Sequence, residues 1–281
     1  MDPWPVSVEH DGLEIAALDW GGDGPPLLLQ HPNGFCAGVF DPLARRLRDE
    51  YRPIAVDVRG HGASDRPASL AACTFTNGAR DVLAVLDALR IPEVVALGHS
   101  LGGGVTVLLD QLRPGIVRKA LLCEAIVFPM PPRGEGQTNP MADMARRRRA
   151  GWPDRETVLA SYSSRPPLDV MEPECLAAYV RFGFHDRADG SVELACEPEV
   201  EARFFEAASD PDGARLAFEH LASVAFPVTV VASSGTDLQL SWFAQQAEVS
   251  GGTYLEVPGT HFFVQEDTER SARLVRAHLT W

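Results

Sequence analysis

Short runs of uniformly apolar residues alternate with helical patterns over the first part of this 281-residue chain. The four runs are Leu27–His31, Arg52–Asp57, Val94–Gly98 and Lys119–Cys123. Runs of this length are typical of strands that are buried on both faces of a parallel sheet. Between two of them, Asn77–Leu89 carries apolar residues at helical spacing. Strands that alternate with helices predict right-handed βαβ crossovers, and therefore an α/β fold.

A different pattern interrupts this alternation. Proline and glycine are frequent in Phe128–Pro140, and short helical patterns with proline breaks then continue to about Ala222. Strand signals return at Val228–Ala232 and Thr253–Val257, and a helical pattern ends the chain. An interruption of this length is typical of a lid rather than of an ordinary loop. We therefore expect a first core part over residues 1–127, a helical cap or lid over 128–222 and a second core part over 223–281.

Composition excludes several classes of protein. The chain carries 25 Lys+Arg against 39 Asp+Glu, a net charge of −14, which argues against a nucleic-acid binder because such proteins need clustered cations. No apolar stretch approaches the length of a membrane span, and the first residues lack a signal-peptide pattern. The five cysteines are odd in number and form no metal-binding pattern. We expect a cytoplasmic protein without a metal site.

The segment Gly98-His99-Ser100-Leu101-Gly102 follows an apolar run and opens a helical pattern. A serine on a tight turn between strand and helix projects its hydroxyl above the sheet, and small residues on both sides avoid a collision. The N–H of Leu101 would then face a developing oxyanion at the start of the helix. This setting predicts that Ser100 is a catalytic nucleophile.

A serine hydroxyl is a weak nucleophile until a base takes its proton. Of the eight histidines, His261 follows the last strand signal and precedes the last helical pattern. A histidine on a loop that leaves the sheet there can reach the serine. We therefore predict that His261 is the base.

These pieces together resemble the α/β-hydrolase fold superfamily. The matching segments are His31-Pro32-Asn33-Gly34, Asp57–Asp65, Gly98–Gly102 and Pro258-Gly259-Thr260-His261. The resemblance implies a mostly parallel eight-stranded sheet with helices on both faces and an inserted helical lid. It also implies an oxyanion hole formed by the backbone N–H groups of Leu101 and Asn33. Because proline follows His31 where the family usually has glycine, Gly34 and Phe35 are alternatives for the second donor.

Two carboxylates compete for the role of triad acid. Asp237 lies in a segment that resembles the family's common acid loop, and it is slightly preferred. Glu124 follows Lys119–Cys123, a position that carries the acid in a subset including some haloalkane dehalogenases. Those enzymes use an aspartate nucleophile, and this chain has Ser100 instead.

A serine nucleophile favours an acyl-enzyme mechanism on a carboxylic ester, lactone or thioester of a small molecule, with no cofactor. The same residues would also serve carbon–carbon bond hydrolysis, cofactor-free perhydrolysis of the haloperoxidase type or lyase chemistry. A receptor-like binding protein with little turnover is the alternative from another class. The chain is expected to act as a monomer or homodimer, with no nucleic-acid or membrane partner.

The lid is expected to help choose the substrate. Its run of four arginines, Arg146–Arg149, is interpreted first as a solvated helix face, with recognition of a substrate carboxylate or phosphate as the alternative. Consecutive residues do not share one helical face, so at most two of them can point at a ligand. Phe35, His99 and Tyr162 are candidate substrate-binding residues.

Overall fold

The computed structural model describes residues 2–131 and 138–281. Residues 132–137, which belong to the proline- and glycine-rich segment, lie outside the described part. The strands in that part are β1 (Trp4–His10), β2 (Leu13–Asp19), β3 (Pro26–Gln30), β4 (Arg52–Val56), β5 (Val94–His99), β6 (Val117–Cys123), β7 (Gly151–Trp152), β8 (Phe184–Asp186), β9 (Val192–Leu194), β10 (Val228–Ser233) and β11 (Thr253–Val257).

Eight of these strands form the central sheet, in the order β1-β2-β4-β3-β5-β6-β10-β11. Strand β2 runs antiparallel to both of its neighbours, and all the other pairs are parallel. The expectation of a mostly parallel eight-stranded sheet is confirmed. The uniformly apolar runs explain it, because every residue of β5 and β10 is buried.

Helices lie on both faces of the sheet and in the segment between β6 and β10. They are α1 (Asp41–Leu47), α2 (Phe75–Ala88), α3 (Leu101–Leu112), α4 (Pro140–Arg146), α5 (Arg155–Tyr162), α6 (Pro173–Phe182), α7 (Pro198–Ala207), α8 (Ala214–Leu221), α9 (Leu240–Ser250), α10 (Phe263–Glu266) and α11 (Thr268–His278). One face of the sheet packs on α2, α3, α8 and α9, and the other packs on α1 and α11. Alternate side chains of each strand therefore enter two separate cores. No helix in the described part is both long and apolar enough to cross a bilayer.

Residues 138–222, called the insert here, separate β6 from β10 and contain α4 to α8. They also contain a small antiparallel sheet in the order β7-β9-β8. Of these three strands, only β9 is marked in the sequence, by the strand-length run Ser191–Ala195. Helix α8 packs on α3 and shares its apolar cluster, so this end of the insert lies against the core. Glu172 ties the insert to the second core part, because its carboxylate accepts hydrogen bonds from the N–H and hydroxyl of Thr268.

Candidate active site

Ser100 lies at the junction of β5 and α3, in the middle of the central sheet. Its backbone has φ 55° and ψ −118°, a left-handed conformation that is costly for a residue with a side chain. Backbone hydrogen bonds hold it there, from Ser100 N to Cys123 O at 3.0 Å and from Ile126 N to Ser100 O at 3.0 Å. The residue is 7% exposed, so only a small part of it is accessible to solvent.

Glycines on either side of Ser100 make this turn possible. A Cβ on Gly98 would lie 2.7 Å from the carbonyl oxygen of Gly102. A Cβ on Gly102 would lie 2.2 Å from the carbonyl oxygen of Gln30, the last residue of β3. Neither position has room for a side chain. The structure thus reproduces the collision that the sequence spacing predicts.

His261 follows β11 and meets Glu124, which follows β6. The distance from His261 Nδ1 to Glu124 Oε2 is 3.1 Å, and Glu124 is fully buried. Because a carboxylate accepts, His261 donates from Nδ1 and its Nε2 is left unprotonated as the basic nitrogen. Among the described residues, the Ser100 hydroxyl forms no hydrogen bond; such catalytic contacts are often longer before substrate binds.

Glu124 is held by donors from the last residue of β10 and from the loop that follows it. Its Oε1 accepts from Ser233 N at 2.6 Å and from Ser233 Oγ at 3.1 Å. Its Oε2 also accepts from Thr236 Oγ1 at 2.5 Å. These bonds account for a charged group at the end of a buried strand, which is costly when unpaired. Ser233 and Thr236 were not singled out by sequence reasoning, because hydroxyl residues are common at strand ends and in loops.

Asp237 lies in the same loop but is exposed, and it forms no hydrogen bond or ion pair with any described residue. The loop therefore supplies Thr236 to Glu124 instead of supplying Asp237 to His261. This geometry corrects the preference for Asp237, because the carboxylate that His261 contacts is Glu124.

The loop His31–Phe35 follows β3 and is called the oxyanion loop here, because the sequence predicts an oxyanion donor in it. The N–H of Gly34 donates to His61 Nε2 at 3.1 Å, and the N–H of Phe35 donates to Pro32 O at 3.2 Å. Among the described residues, the N–H of Asn33 has no acceptor. The N–H of Leu101, at the start of α3, has none either. Asn33, Gly34 and Phe35 were the alternatives for the second oxyanion donor. Of these, Asn33 therefore has the backbone N–H that is free to bind a ligand.

His99 is fully buried directly before Ser100. Its Nε2 lies 2.8 Å from the carbonyl oxygen of His261, and its Nδ1 lies 3.3 Å from Gln265 Nε2. The carbonyl can only accept, so Nε2 carries the proton and Nδ1 accepts from the amide of Gln265. Burial lowers the pKa of His99 well below its ordinary value, which keeps the ring neutral. His99 therefore contacts the backbone of the candidate base, in place of the predicted substrate contact.

Changing His99 to Phe is expected to lower kcat about tenfold while KM stays within twofold, because the ring is kept and the hydrogen bond to His261 is lost. Steady-state kinetics on an ester substrate would measure both constants. A rise in KM at constant kcat would instead support the substrate-binding role that the sequence suggested.

Aromatic rings connect the insert to the oxyanion loop. The Phe35 ring lies 4.6 Å from that of Tyr179 and 5.4 Å from that of Phe262. Tyr162 stacks on Tyr179 with ring centroids 6.2 Å apart and is itself half-buried. Phe35 and Tyr162, both predicted substrate-binding residues, are thus brought into one cluster on Tyr179. Tyr179 itself carries no local sequence signal that marks it for a role.

The four arginines of the run point in different directions. Arg146 pairs with Glu199 and Glu206 at the surface, and Arg147 donates to a backbone carbonyl. The guanidinium of Arg149 lies 4.2 Å from the centroid of the Trp152 ring.

Arg148 alone of the run turns inward, to the carboxylate of Glu201 and the hydroxyl of Tyr179. The interpretation of the run as a solvated helix face is wrong, because α4 ends at Arg146 and the other three arginines lie outside it.

Ser100, Glu124, His261 and the oxyanion loop lie at the carboxyl ends of the strands, where ligands of open α/β sheets bind. A cavity of about 450 Å³ beside Val117 lies at the opposite end, away from these residues. Across the described residues, no group of three or more His, Cys, Asp and Glu is arranged to hold a metal ion.

A model of the alpha/beta hydrolase family matches residues 27–277. The chain belongs to the alpha/beta hydrolase family. Within this family, the chain is 35% identical over 100 residues to a 2-(acetamidomethylene)succinate hydrolase of Mesorhizobium japonicum, covering 36% of this chain and 35% of the relative. It is 38% identical over 133 residues to a non-heme chloroperoxidase of Streptomyces lividans, covering 46% of each. The matches thus span less than half the length of these curated relatives.

Solved alpha/beta hydrolases share the whole architecture. The crystal structure of an E-2-(acetamidomethylene)succinate hydrolase matches with a TM-score of 0.81 and 21% identity over 99% of both chains. At this identity the likeness shows the fold alone. The chain is thus an alpha/beta hydrolase in family and fold.

Proposed function

We propose that this protein is a serine hydrolase that cleaves an ester-type bond of a small molecule through an acyl-enzyme on Ser100. The observation that carries the proposal is the hydrogen bond between His261 Nδ1 and the buried carboxylate of Glu124, which leaves the base nitrogen of His261 free. Ser100 at the strained turn supplies the nucleophile.

In the acylation step, Ser100 Oγ attacks the substrate carbonyl as His261 Nε2 takes its proton. Glu124 holds the ring in the tautomer that this transfer needs and stabilises the imidazolium that forms. The tetrahedral intermediate then collapses, and His261 returns the proton to the leaving oxygen or sulfur. The alcohol or thiol departs, and the acyl group stays on Ser100.

The backbone N–H groups of Leu101 and Asn33 stabilise the oxyanion of both tetrahedral intermediates. Their free donors support this role, because neither is used within the described residues. Such donors are already in place before the charge develops, so no reorganisation is needed during the step. In deacylation, His261 activates a water that attacks the acyl carbonyl and releases the acid from Ser100.

The insert acts as a lid over this site and, together with the oxyanion loop, shapes the substrate pocket. The rings of Phe35 and Tyr162 form its apolar walls, and the small-molecule substrate is held between them and Ser100. The hydrolase name of the Mesorhizobium japonicum relative is consistent with chemistry at a carbonyl carbon.

A fluorophosphonate probe tests this proposal, because it phosphonylates only activated serines. Intact-mass measurement should show one adduct, and peptide mapping should assign it to Ser100. The Ser100→Ala variant, which keeps the fold and loses the attacking oxygen, serves as the control and should stay unlabelled. Absence of labelling in the wild-type chain, together with no hydrolysis across p-nitrophenyl esters of increasing length, would contradict the proposal.

Perhydrolysis is a second candidate, favoured by the similarity to a non-heme chloroperoxidase. Hydrogen peroxide would replace water in deacylation, so the acyl group would leave Ser100 as a peracid and the serine would be restored. Incubation with acetate, hydrogen peroxide and bromide measures this activity, because the peracid oxidises bromide to hypobromite, which then brominates a 1,3-dione indicator. A bromination rate that greatly exceeds ester hydrolysis would favour this candidate over the first.

A further inference from the structure

The insert holds the oxyanion loop by two hydrogen bonds. The hydroxyl of Tyr179, on α6, donates to the carbonyl oxygen of Gly34 at 2.9 Å. The side-chain amide of Asn33 donates to the carbonyl oxygen of Glu201, on α7, at 2.9 Å. Asn33 carries the free N–H, and Gly34 is its direct neighbour. The insert therefore contacts the oxyanion loop at the place where the donor is presented.

Arg148 determines which atoms donate and which accept in these hydrogen bonds. Its Nη2 donates to the Tyr179 oxygen at 2.9 Å, and its Nη1 pairs with the carboxylate of Glu201. A guanidinium only donates, so the Tyr179 oxygen accepts from Arg148 and its own hydrogen is left for Gly34. Burial raises the pKa of Tyr179 above its ordinary value, and the hydroxyl keeps that hydrogen. Donors and acceptors in such a chain strengthen one another.

The Gly34 residue is fixed from both sides. The N–H of Gly34 is held by His61 of the core, and the carbonyl by Tyr179 of the insert. Its φ of +76° favours glycine, and a Cβ there would lie 2.6 Å from the Glu201 carboxyl carbon. The backbone that follows the free N–H thus has one hydrogen bond to the core and one to the insert. Loss of the second bond would leave the Gly34 carbonyl without its donor, and among the described residues the Gly34–Phe35 peptide would be held only by the bond from Phe35 N to Pro32 O.

We propose that Tyr179 is a positioning residue for the oxyanion hole, and that Arg148 orients its hydroxyl. The inference rests on the proposed function, because it assigns a role in the same reaction. It adds that the insert takes part in stabilising the transition state, beyond covering the substrate. Tyr179 acts through the backbone of Gly34 and Asn33 and does not contact the reacting atoms.

The Tyr179→Phe variant removes the hydroxyl and keeps the ring. We expect kcat to fall about tenfold with KM within twofold, since a misplaced donor weakens transition-state binding more than substrate binding. The second-order rate of fluorophosphonate labelling should fall by a similar factor, because the phosphonyl oxygen occupies the same hole. The Arg148→Lys variant keeps the charge beside Glu201 but loses the planar fork, and should lower both rates several-fold.

Tyr51→Phe is the matched control. Tyr51 is also buried, and its hydroxyl donates to a backbone carbonyl, that of Leu279, remote from the site. This variant should keep kcat and the labelling rate within twofold. Thermal unfolding of the variants measures stability separately from rate.

The outcomes separate the two proposals. If the wild-type chain is not labelled, the serine-hydrolase function fails and the positioning role fails with it. If the wild-type chain is labelled and Tyr179→Phe is labelled at the same rate, the function stands and the positioning role is overturned. A rise in KM at unchanged kcat would also overturn it, because Tyr179 would then be a substrate contact. A tenfold lower kcat and labelling rate at unchanged KM supports it.

Discussion

Replacing Glu124 by Gln is expected to lower kcat by about four orders of magnitude. Four donor groups converge on the two carboxylate oxygens, two from Ser233, one from Thr236 and one from His261. An amide has one oxygen and an NH₂ group, so at least one of these donors would face another donor. His261 would then be driven toward the wrong tautomer, with its proton on the nitrogen that should accept one.

The Asp237→Asn variant is the paired measurement, made with the same substrate. Asp237 is exposed and has no partner among the described residues, so kcat should stay within about twofold of the wild-type value. Far-ultraviolet circular dichroism of both variants would show that the comparison is made between folded proteins. If Asp237→Asn lost most of its kcat and Glu124→Gln kept the wild-type value, then Asp237 and not Glu124 would be the triad acid.

Acidification from pH 6.5 to 4.5 is expected to lower the free energy of unfolding by several kcal/mol, because burial lowers the pKa of three histidines, His31, His61 and His99. Burial lowers the pKa of His31 from 6.5 to about 4 and that of His61 to about 3. The unfolded chain therefore binds more protons than the folded chain below pH 6.5, and stability is lost as the pH falls. Asp57 acts in the opposite sense, because burial raises its pKa from 3.8 to about 6.

The roles of the two histidines explain why they stay neutral. His31 Nε2 accepts from the N–H of Val58 at 3.1 Å, and His61 Nε2 accepts from the N–H of Gly34 at 3.1 Å. A protonated ring has no acceptor nitrogen, so each bond would be lost on protonation. The loss of stability in acid is thus a direct result of using imidazoles as acceptors for loop backbone.

Urea unfolding at several pH values would measure how steeply the free energy of unfolding falls as the pH is lowered. His61→Gln is the informative variant. Glutamine keeps an acceptor oxygen and does not titrate, so the curve of His61→Gln should fall less steeply than that of the wild type between pH 6.5 and 4.5, while His31 and His99 still contribute. His185→Gln changes an exposed histidine and should keep the wild-type slope. Parallel curves for wild type and His61→Gln would show that His61 contributes nothing to acid sensitivity.

The central sheet could be predicted because its strands are marked by continuous apolar runs. The run Val94–Gly98 became β5 (Val94–His99), and Arg52–Asp57 became β4 (Arg52–Val56). The two- and three-residue strands β7 and β8 could not be predicted in the same way. A strand that short shows no periodicity, and its pairing depends on tertiary contacts.

The same distinction applies to the candidate site: its local features could be predicted from the sequence, and its long-range contacts could not. The turn at Ser100 is a local feature, since its glycines and its position between strand and helix are all visible in five residues. The partner of His261 could not be predicted locally. Glu124 is held by donors from Ser233 and Thr236, which lie over a hundred positions after Glu124 in the sequence. Arg148 is chemically identical to its three neighbours, and only the position of Glu201 on α7 turns it inward.

The position of the insert between β6 and β10 has a consequence for the order of assembly during synthesis. Glu124 and His261 are 137 positions apart, and all four donors to the Glu124 carboxylate come from residues after the insert. A nascent chain that ends before β10 therefore contains an uncompensated carboxylate at the end of β6. The Glu124 carboxylate gains its donors only when β10 and the segment up to His261 join the sheet, so we expect turnover to appear only after these residues have been synthesised.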